Sequence, residues 1–322
     1  MLAFDDFLRK YSINDSSVSY LGKLPTNTYH KYCKNIYSQN GEDGIIEQLI
    51  SGLGIHSGVF CDFGASDGIS SSNVYNLIVN HDWSGVCIEP DPNRFFHLEK
   101  NLQSYISTDK VVCYNGYVKH DDASLLLDNW LDKTQLKLHI PKDFDLLSID
   151  VDYYDYNIWK SLSNYSPKIV IIEVNSYRDP ITKELPGDKP KKNDVLLEWY
   201  PRRIGVGCSF MSMVELGLEK GYIPVSFTGN LTFVRKDLVV QLKEFPYIVS
   251  NNPYDYVDLY TNLSLWNNRW STNSALIFNV AIRNYYKSHS VDKELDFKWI
   301  LEHIQEYGNM LWNYKFESSH SS

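Results

Sequence analysis

Acidic residues in this chain stand where apolar runs stop. The run Val59 to Phe63 contains Asp62 and opens into the turn Gly64-Ala65-Ser66-Asp67-Gly68. About twenty residues further on, a second apolar run ends at Glu89. Such glycines let a ligand approach the backbone closely, and a carboxylate at the next strand end can accept from both hydroxyls of a ribose. Dinucleotide sites space their glycines G-x-G-x-x-G, so that a pyrophosphate meets a helix N-terminus. Here the spacing is G-A-S-D-G, with Asp62 and Asp67 on its flanks. Carboxylates repel phosphates and suit an ammonium or sulfonium group. The expected cofactor is S-adenosyl-L-methionine rather than NAD, held by Asp62, Gly64, Gly68 and Glu89.

A second acidic set lies further along. One apolar run ends in Asp150-Val151-Asp152 and the next in Glu173-Val174-Asn175. A single helix-like segment separates the two runs, so adjacent parallel strands would bring these oxygens to one rim. Hard oxygen donors of this kind suit Mg²⁺, Mn²⁺ or Ca²⁺. Asp150, Asp152, Glu173 and Asn175 are the expected metal ligands, with Asp150, Asp152 and Glu173 carrying the catalytic role. Two other roles stay open: a metal-free site in which one carboxylate takes the substrate proton, and a capping role for Asp152 at the helix around Asp155. The nine histidines are scattered, and His120 is a weak candidate base. No G-x-x-x-x-G-K-[ST] loop is present.

The elements that must position these groups alternate. Strands are expected at VFCDFG, SGVCIEP, KVVCYNG, FDLLSID and KIVIIEVN. Helices are expected over 41–54, 70–80, 92–102, 122–131, 155–162 and 210–221. The strands are apolar on successive residues, as when helices cover both faces of a parallel sheet. Strands and helices in alternation predict an α/β, doubly wound, Rossmann-like, mainly parallel sheet. YIPVSFTGNLTFVRKDL reads as a closing antiparallel hairpin around Thr228-Gly229-Asn230. Residues 1–37 form a helical preface and 38–245 the cofactor-binding domain. Within it, 176–208, proline-containing and aperiodic, forms a lid-like insertion. Residues 246–322 form an aromatic-rich, mainly helical appendage that packs on the core or pairs with another subunit.

Composition narrows the partners. A net charge of −9 argues against sequence-independent nucleic-acid binding. The apolar fraction of 43% suits a globular protein with a buried core. Aromatic residues reach 14%, with 24 tyrosines, which fits either codon bias or a sugar-facing surface. Five cysteines without C-x-x-C spacing fit a reduced compartment, and no window approaches the ~20 apolar residues of a membrane span. A cytoplasmic location is expected.

In order and spacing, SQNGEDGIIEQLI, CDFGASDG, GVCIEPDP, FDLLSIDVDYYDYNIWKSL, PKIVIIEVN and SFMSMVELGLEKGYIPV resemble class I S-adenosylmethionine-dependent methyltransferases, and among them the FkbM-like O-methyltransferases of small molecules and glycans. The resemblance covers about Ser38 to Leu238. It implies Asp62 and Gly64 on the methionine side of the cofactor, Glu89 on the ribose and Asn115 near the adenine. It further implies an acceptor hydroxyl on a sugar, glycan precursor or related metabolite, with a divalent metal assisting. Gln39, Glu42 and Asp43 belong to the similar stretch without a derivable chemistry, and helix capping is one role for Asp43. Where the family tends to carry glycine and asparagine after the second aspartate, this chain has Tyr153-Tyr154. Two rival readings are an NAD-dependent oxidoreductase on a sugar nucleotide and a non-catalytic binding protein that keeps the fold.

Overall fold

The structure, a computed structural model, describes residues 32–175, 183–188, 207–243, 249–251, 256 and 259. The expected preface before residue 32, most of the insertion and nearly all of the C-terminal appendage lie outside the described residues.

Seven strands form one sheet: β1 Val59–Phe63, β2 Ser84–Glu89, β3 Val111–Asn115, β4 Leu146–Ile149, β5 Ile169–Glu173, β6 Tyr222–Phe227 and β7 Asn230–Arg235. Their spatial order is β3-β2-β1-β4-β5-β7-β6. The first five are mutually parallel, and β7 runs antiparallel to both β5 and β6. All five strand expectations and the hairpin correspond to observed strands. Thr228 and Gly229 form the hairpin turn, where Gly229 takes φ +111°. Pro224, which cannot donate to a ladder, sits in β6 at the sheet edge beside a register shift.

Helices α1 Glu42–Gly52, α2 Tyr75–Asn80, α3 Pro92–Ile106, α4 Leu127–Thr134, α5 Asp155–Ser161 and α6 Phe210–Glu219 fill the connections. With this strand order, the right-handed rule for parallel crossovers assigns α2 and α3 to one face of the sheet and α5 to the other. The core between these layers includes Phe60, Phe63, Leu98, Leu147, Trp159 and Phe233, all at most 1% exposed. Two helices differ from expectation at their starts. The one expected from residue 70 begins at Tyr75, because Gly68 and Ser71 adopt positive φ and the Asp67 carboxylate takes the N–H groups of Ile69 and Ser70. The one expected from 122 is a 3₁₀ turn at Ala123–Leu125 followed by α4.

The strand order reverses direction at β1, whose neighbours are β2 and β4. A crevice opens at the carboxyl ends of strands at such a switch point. Among the described residues, no helix is long and apolar enough to cross a membrane, and no disulfide links the five cysteines.

Candidate active site

The turn after β1 is tied to the end of β2. The N–H groups of Gly64 and Ala65 donate to the Ile88 carbonyl at 3.0 and 3.2 Å. Gly64 has φ +81°, and a Cβ there would lie 1.8 Å from the Asp150 carbonyl oxygen. Close passage of β1 by the end of β4 therefore demands glycine at this position. Gly68 has φ +79°, which also favours glycine, and a Cβ there would meet the Leu98 side chain of α3 at 2.6 Å.

Glu89 is 3% exposed and bridges two turns. Its Oε2 accepts from Ser66 N–H and its Oε1 from Asp91 N–H, both at 2.8 Å. A carboxylate has about four lone-pair sites, so two remain for a ligand. Asn115 donates its side-chain amide to the Glu89 and Pro90 carbonyls at 2.9 and 3.2 Å, fixing the end of β2 against β3.

Sheet register assembles the rest. Asp62 on β1 pairs with Cys87 on β2 and Ser148 on β4, and Cys87 pairs with Cys113 on β3. Two residues nearer the carboxyl edge, Glu89 pairs with Asn115, and Glu173 on β5 pairs with Asn230 on β7. Side chains at i and i+2 share a sheet face, so Asp62 lies one row below Glu89. Burial pushes the Asp62 carboxyl up to about 7; a hydrogen bond with the Ser148 hydroxyl opposes this, and the charges of Asp150 and Glu89 add to it. Asp62 caps no helix. Asp67 accepts from Ile69 and Ser70 N–H within the turn, and the Ser72 hydroxyl oxygen accepts from Val74 and Tyr75 N–H where α2 begins.

A cavity of about 460 Å³ lies at these strand ends, lined by Phe63 and Gly64 after β1, Ile88 and Pro90 at β2, and Val151, Tyr154 and Ile158 beyond β4. Its remaining wall is the segment Gly116 to Asp121 after β3. Sequence reasoning assigned nothing to Tyr117, Lys119 or Asp121. Their signal was a polar stretch immediately following a strand's carboxyl end. Trp130 supports this wall: a Cβ on Gly116 would meet its ring at 2.7 Å, and its Nε1–H donates to the Tyr117 carbonyl at 3.1 Å.

On the other side of the switch point, Asp150, Asp152 and Glu173 bring one carboxylate oxygen each to within 4.8 Å of one another. Asp152 is exposed and holds φ +66°, a left-handed conformation that aspartate tolerates better than most residues. The helix that begins at Asp155 has Tyr154 at its N-cap and no side-chain cap, so Asp152 does not cap it; Asp155 Oδ1 accepts from Val151 N–H at 2.9 Å and ties the preceding turn to the helix. Asp155 is 2% exposed and its Oδ2 has no hydrogen-bond partner among the described residues. Burial, then the Asp150 charge, raises its carboxyl to about 8. Asn175, also buried, donates its backbone N–H to the Cys208 carbonyl at 3.1 Å.

The stretch before α1 has a structural role. Asp43 Oδ2 accepts from the N–H groups of Ile36, Tyr37 and Ser38 at 2.7–2.8 Å, so it gathers the preceding loop rather than capping its own helix. Glu42 accepts from Asn40 N–H and from the Thr228 hydroxyl, tying α1 to the β6–β7 turn.

A five-stranded parallel block ending in an antiparallel hairpin, with a glycine turn after β1 and an acid at the end of β2, is the class I methyltransferase fold. No protein-family model matches the chain, and comparison with curated proteins finds no match. Solved structures do resemble it. M. capricolum TrmK in complex with S-adenosyl-homocysteine shares 9% identity, with 82% of this chain and 97% of that one covered, at a TM-score of 0.38. Podospora anserina methyltransferase PaMTH1, also bound to S-adenosyl-homocysteine, shares 15% over 62% and 79%, at 0.37. A Galdieria sulphuraria chain assigned as a sarcosine dimethylglycine methyltransferase shares 14% over 83% and 80%, at 0.38. Likenesses this distant carry no argument about activity, and the fold assignment stands on strand order and direction.

Proposed function

We propose that this chain is an S-adenosylmethionine-dependent O-methyltransferase, FkbM-like, acting on a hydroxyl of a sugar, glycan precursor or related small metabolite with a divalent cation assisting. The observation that carries the reading is the crowding of Asp62, Glu89, Asp150, Asp152, Asp155 and Glu173 at one carboxyl edge, with Asp62 and Asp155 pushed up to about 7 and about 8. Like charges held this close call for cationic ligands.

The residues fit such a cofactor. Its sulfonium and ammonium would offset the charge on Asp62, the spare lone pairs of Glu89 suit a ribose diol, and the turn from Gly64 to Ser66 is already held to β2. A cavity of about 460 Å³ is within the usual range for one small-molecule ligand. When bound, S-adenosylmethionine supplies a methyl group activated by the positive sulfur. Asp150, Asp152 and Glu173 fit a hard divalent cation by their oxygen donors and mutual distance; such an ion supplies acidification of an acceptor hydroxyl. The chain's own contribution is alignment of the acceptor oxygen with the methyl group and reception of its proton by a rim carboxylate.

The test pairs calorimetry against S-adenosylmethionine, S-adenosylhomocysteine and NAD with a by-product assay for S-adenosylhomocysteine. The assay runs across sugars and nucleotide sugars, with and without Mg²⁺ or Mn²⁺. Micromolar binding of the first two ligands and turnover with at least one sugar are expected. Binding of NAD in their place would return the oxidoreductase reading.

A further inference from the structure

We propose that Tyr153, Tyr154 and His120 form a stacking platform for an uncharged, polyhydroxylated ring, so that the acceptor is a pyranose held by its C–H face. This rests on the methyltransferase reading only in calling that ring the acceptor.

The three rings form one continuous group. Tyr153 and Tyr154 lie edge to face, with centroids 4.3 Å apart at 63°. Tyr154 and His120 are 4.9 Å apart at 41°. Tyr154 is 46% exposed, so its ring does not fill the core. Both His120 and Tyr154 line the cavity, which has room for one ligand of cofactor size. An acceptor must therefore bind against its exposed wall, where these rings stand.

The neighbouring charges select the kind of ring. Asp152 directly precedes Tyr153, and its carboxylate clusters with those of Asp150 and Glu173. Asp121 also lines the cavity, and Lys119 is the lysine that accompanies it there. An excess of carboxylates repels a phosphorylated ring. It suits a neutral one whose hydroxyls donate to carboxylates while its C–H face covers an aromatic surface. A pyranose has both features; a planar phenol has the stacking face but few hydroxyls to donate.

Saturation-transfer NMR on the full chain with S-adenosylhomocysteine present tests the platform. The probes are methyl β-glucopyranoside, methyl α-mannopyranoside, glucose 6-phosphate and catechol. The methyl pyranosides should receive saturation, strongest on ring C–H protons. Glucose 6-phosphate should receive at least fivefold less, and Tyr154→Ala should cut the pyranoside signal at least fivefold. Tyr154→Phe should keep it, because the ring and not the hydroxyl does the stacking. Equal pyranoside signals from wild type and Tyr154→Ala, absence of any pyranoside signal, or preference for glucose 6-phosphate or catechol would each overturn the platform. Calorimetry with S-adenosylhomocysteine on the same samples keeps the two readings apart. Pyranoside stacking without cofactor binding supports the platform and removes the methyltransferase reading. A Tyr154→Ala protein that loses cofactor affinity more than tenfold, with pyranosides silent, assigns the rings to the cofactor and ends the proposal.

Discussion

Gly64→Ala should damage this protein in a way that a matched glycine elsewhere does not. Gly64 and Gly221 have nearly the same backbone conformation, φ +81° and +83°. An alanine at either position bears the left-handed penalty of about 1–2 kcal/mol. Their surroundings differ completely. A Cβ on Gly221 meets nothing within 4 Å, whereas one on Gly64 lies 1.8 Å from the Asp150 carbonyl oxygen. That oxygen belongs to backbone at the end of β4 and cannot swing aside as a flexible side chain would, so the strands must part. Overpacking of this kind costs about 1–3 kcal/mol, and a backbone partner places Gly64→Ala at the upper end. Urea unfolding should therefore show Gly64→Ala less stable than Gly221→Ala by about 2–3 kcal/mol, out of the 5–15 typical of a domain. Displacing Asp150 also disturbs the rim, so cofactor affinity should fall more than tenfold in Gly64→Ala and less than twofold in Gly221→Ala. Equal stability losses in the two variants would refute the argument that strand proximity dictates this glycine.

Three further outcomes can be checked. Glu89→Ala should lower stability by about 3 kcal/mol, since charge-assisted hydrogen bonds contribute about 1.5–3 kcal/mol each and two backbone N–H groups lose their acceptor; calorimetry should show cofactor affinity down at least tenfold, and unchanged affinity would remove the ribose assignment. The raised Asp62 and Asp155 carboxyls stabilise the folded chain most at low pH, and that contribution is lost as pH rises through about 7 and about 8. Thermal unfolding of the ligand-free protein should accordingly drop between pH 6 and pH 9, with S-adenosylmethionine raising Tm more at pH 9; a flat profile would contradict the crowding. Asp152→Ala and Glu173→Ala should each weaken Mn²⁺ binding at least tenfold and reduce turnover while cofactor affinity stays within twofold. Full wild-type turnover in chelator would shift the chemistry to a carboxylate base.

The strands were legible because a parallel sheet covered on both faces needs short apolar runs between turn signals, as in Ile169 to Ile172 and, interrupted only by Asp62, Phe60 to Phe63. The start of α2 was not, since the positive φ of Ser71 carries no residue signal comparable to that of a glycine. Asp62, Glu89, Asp150 and Glu173 stood out as acids ending apolar runs. What held each of them did not, because the holding group is remote in sequence. Gly64 owes its identity to Asp150, and Glu89 to the N–H of Ser66. Tyr117, Lys119 and Asp121 escaped assignment for a related reason: a loop wall becomes visible only once Trp130 behind it and Tyr154 beside His120 are in place.

The two halves of the rim are built on different physical terms, and that difference bears on their roles. On the β1–β2 side, both Glu89 oxygens are already fixed by backbone N–H donors. Such a carboxylate stays in place without ligand, and little ordering cost remains when a diol arrives. On the β4–β5 side, Asp152 is exposed in a left-handed conformation, and the buried Asp155 has a carboxylate oxygen with no hydrogen-bond partner among the described residues. Carboxylates gathered there repel one another, and a bound cation would lower that repulsion. A preset hydrogen-bonding half suits a cofactor bound the same way in every turnover. A half that gathers Asp150, Asp152 and Glu173 within 4.8 Å suits, under the proposed reading, the place where an acceptor hydroxyl is acidified and gives up its proton.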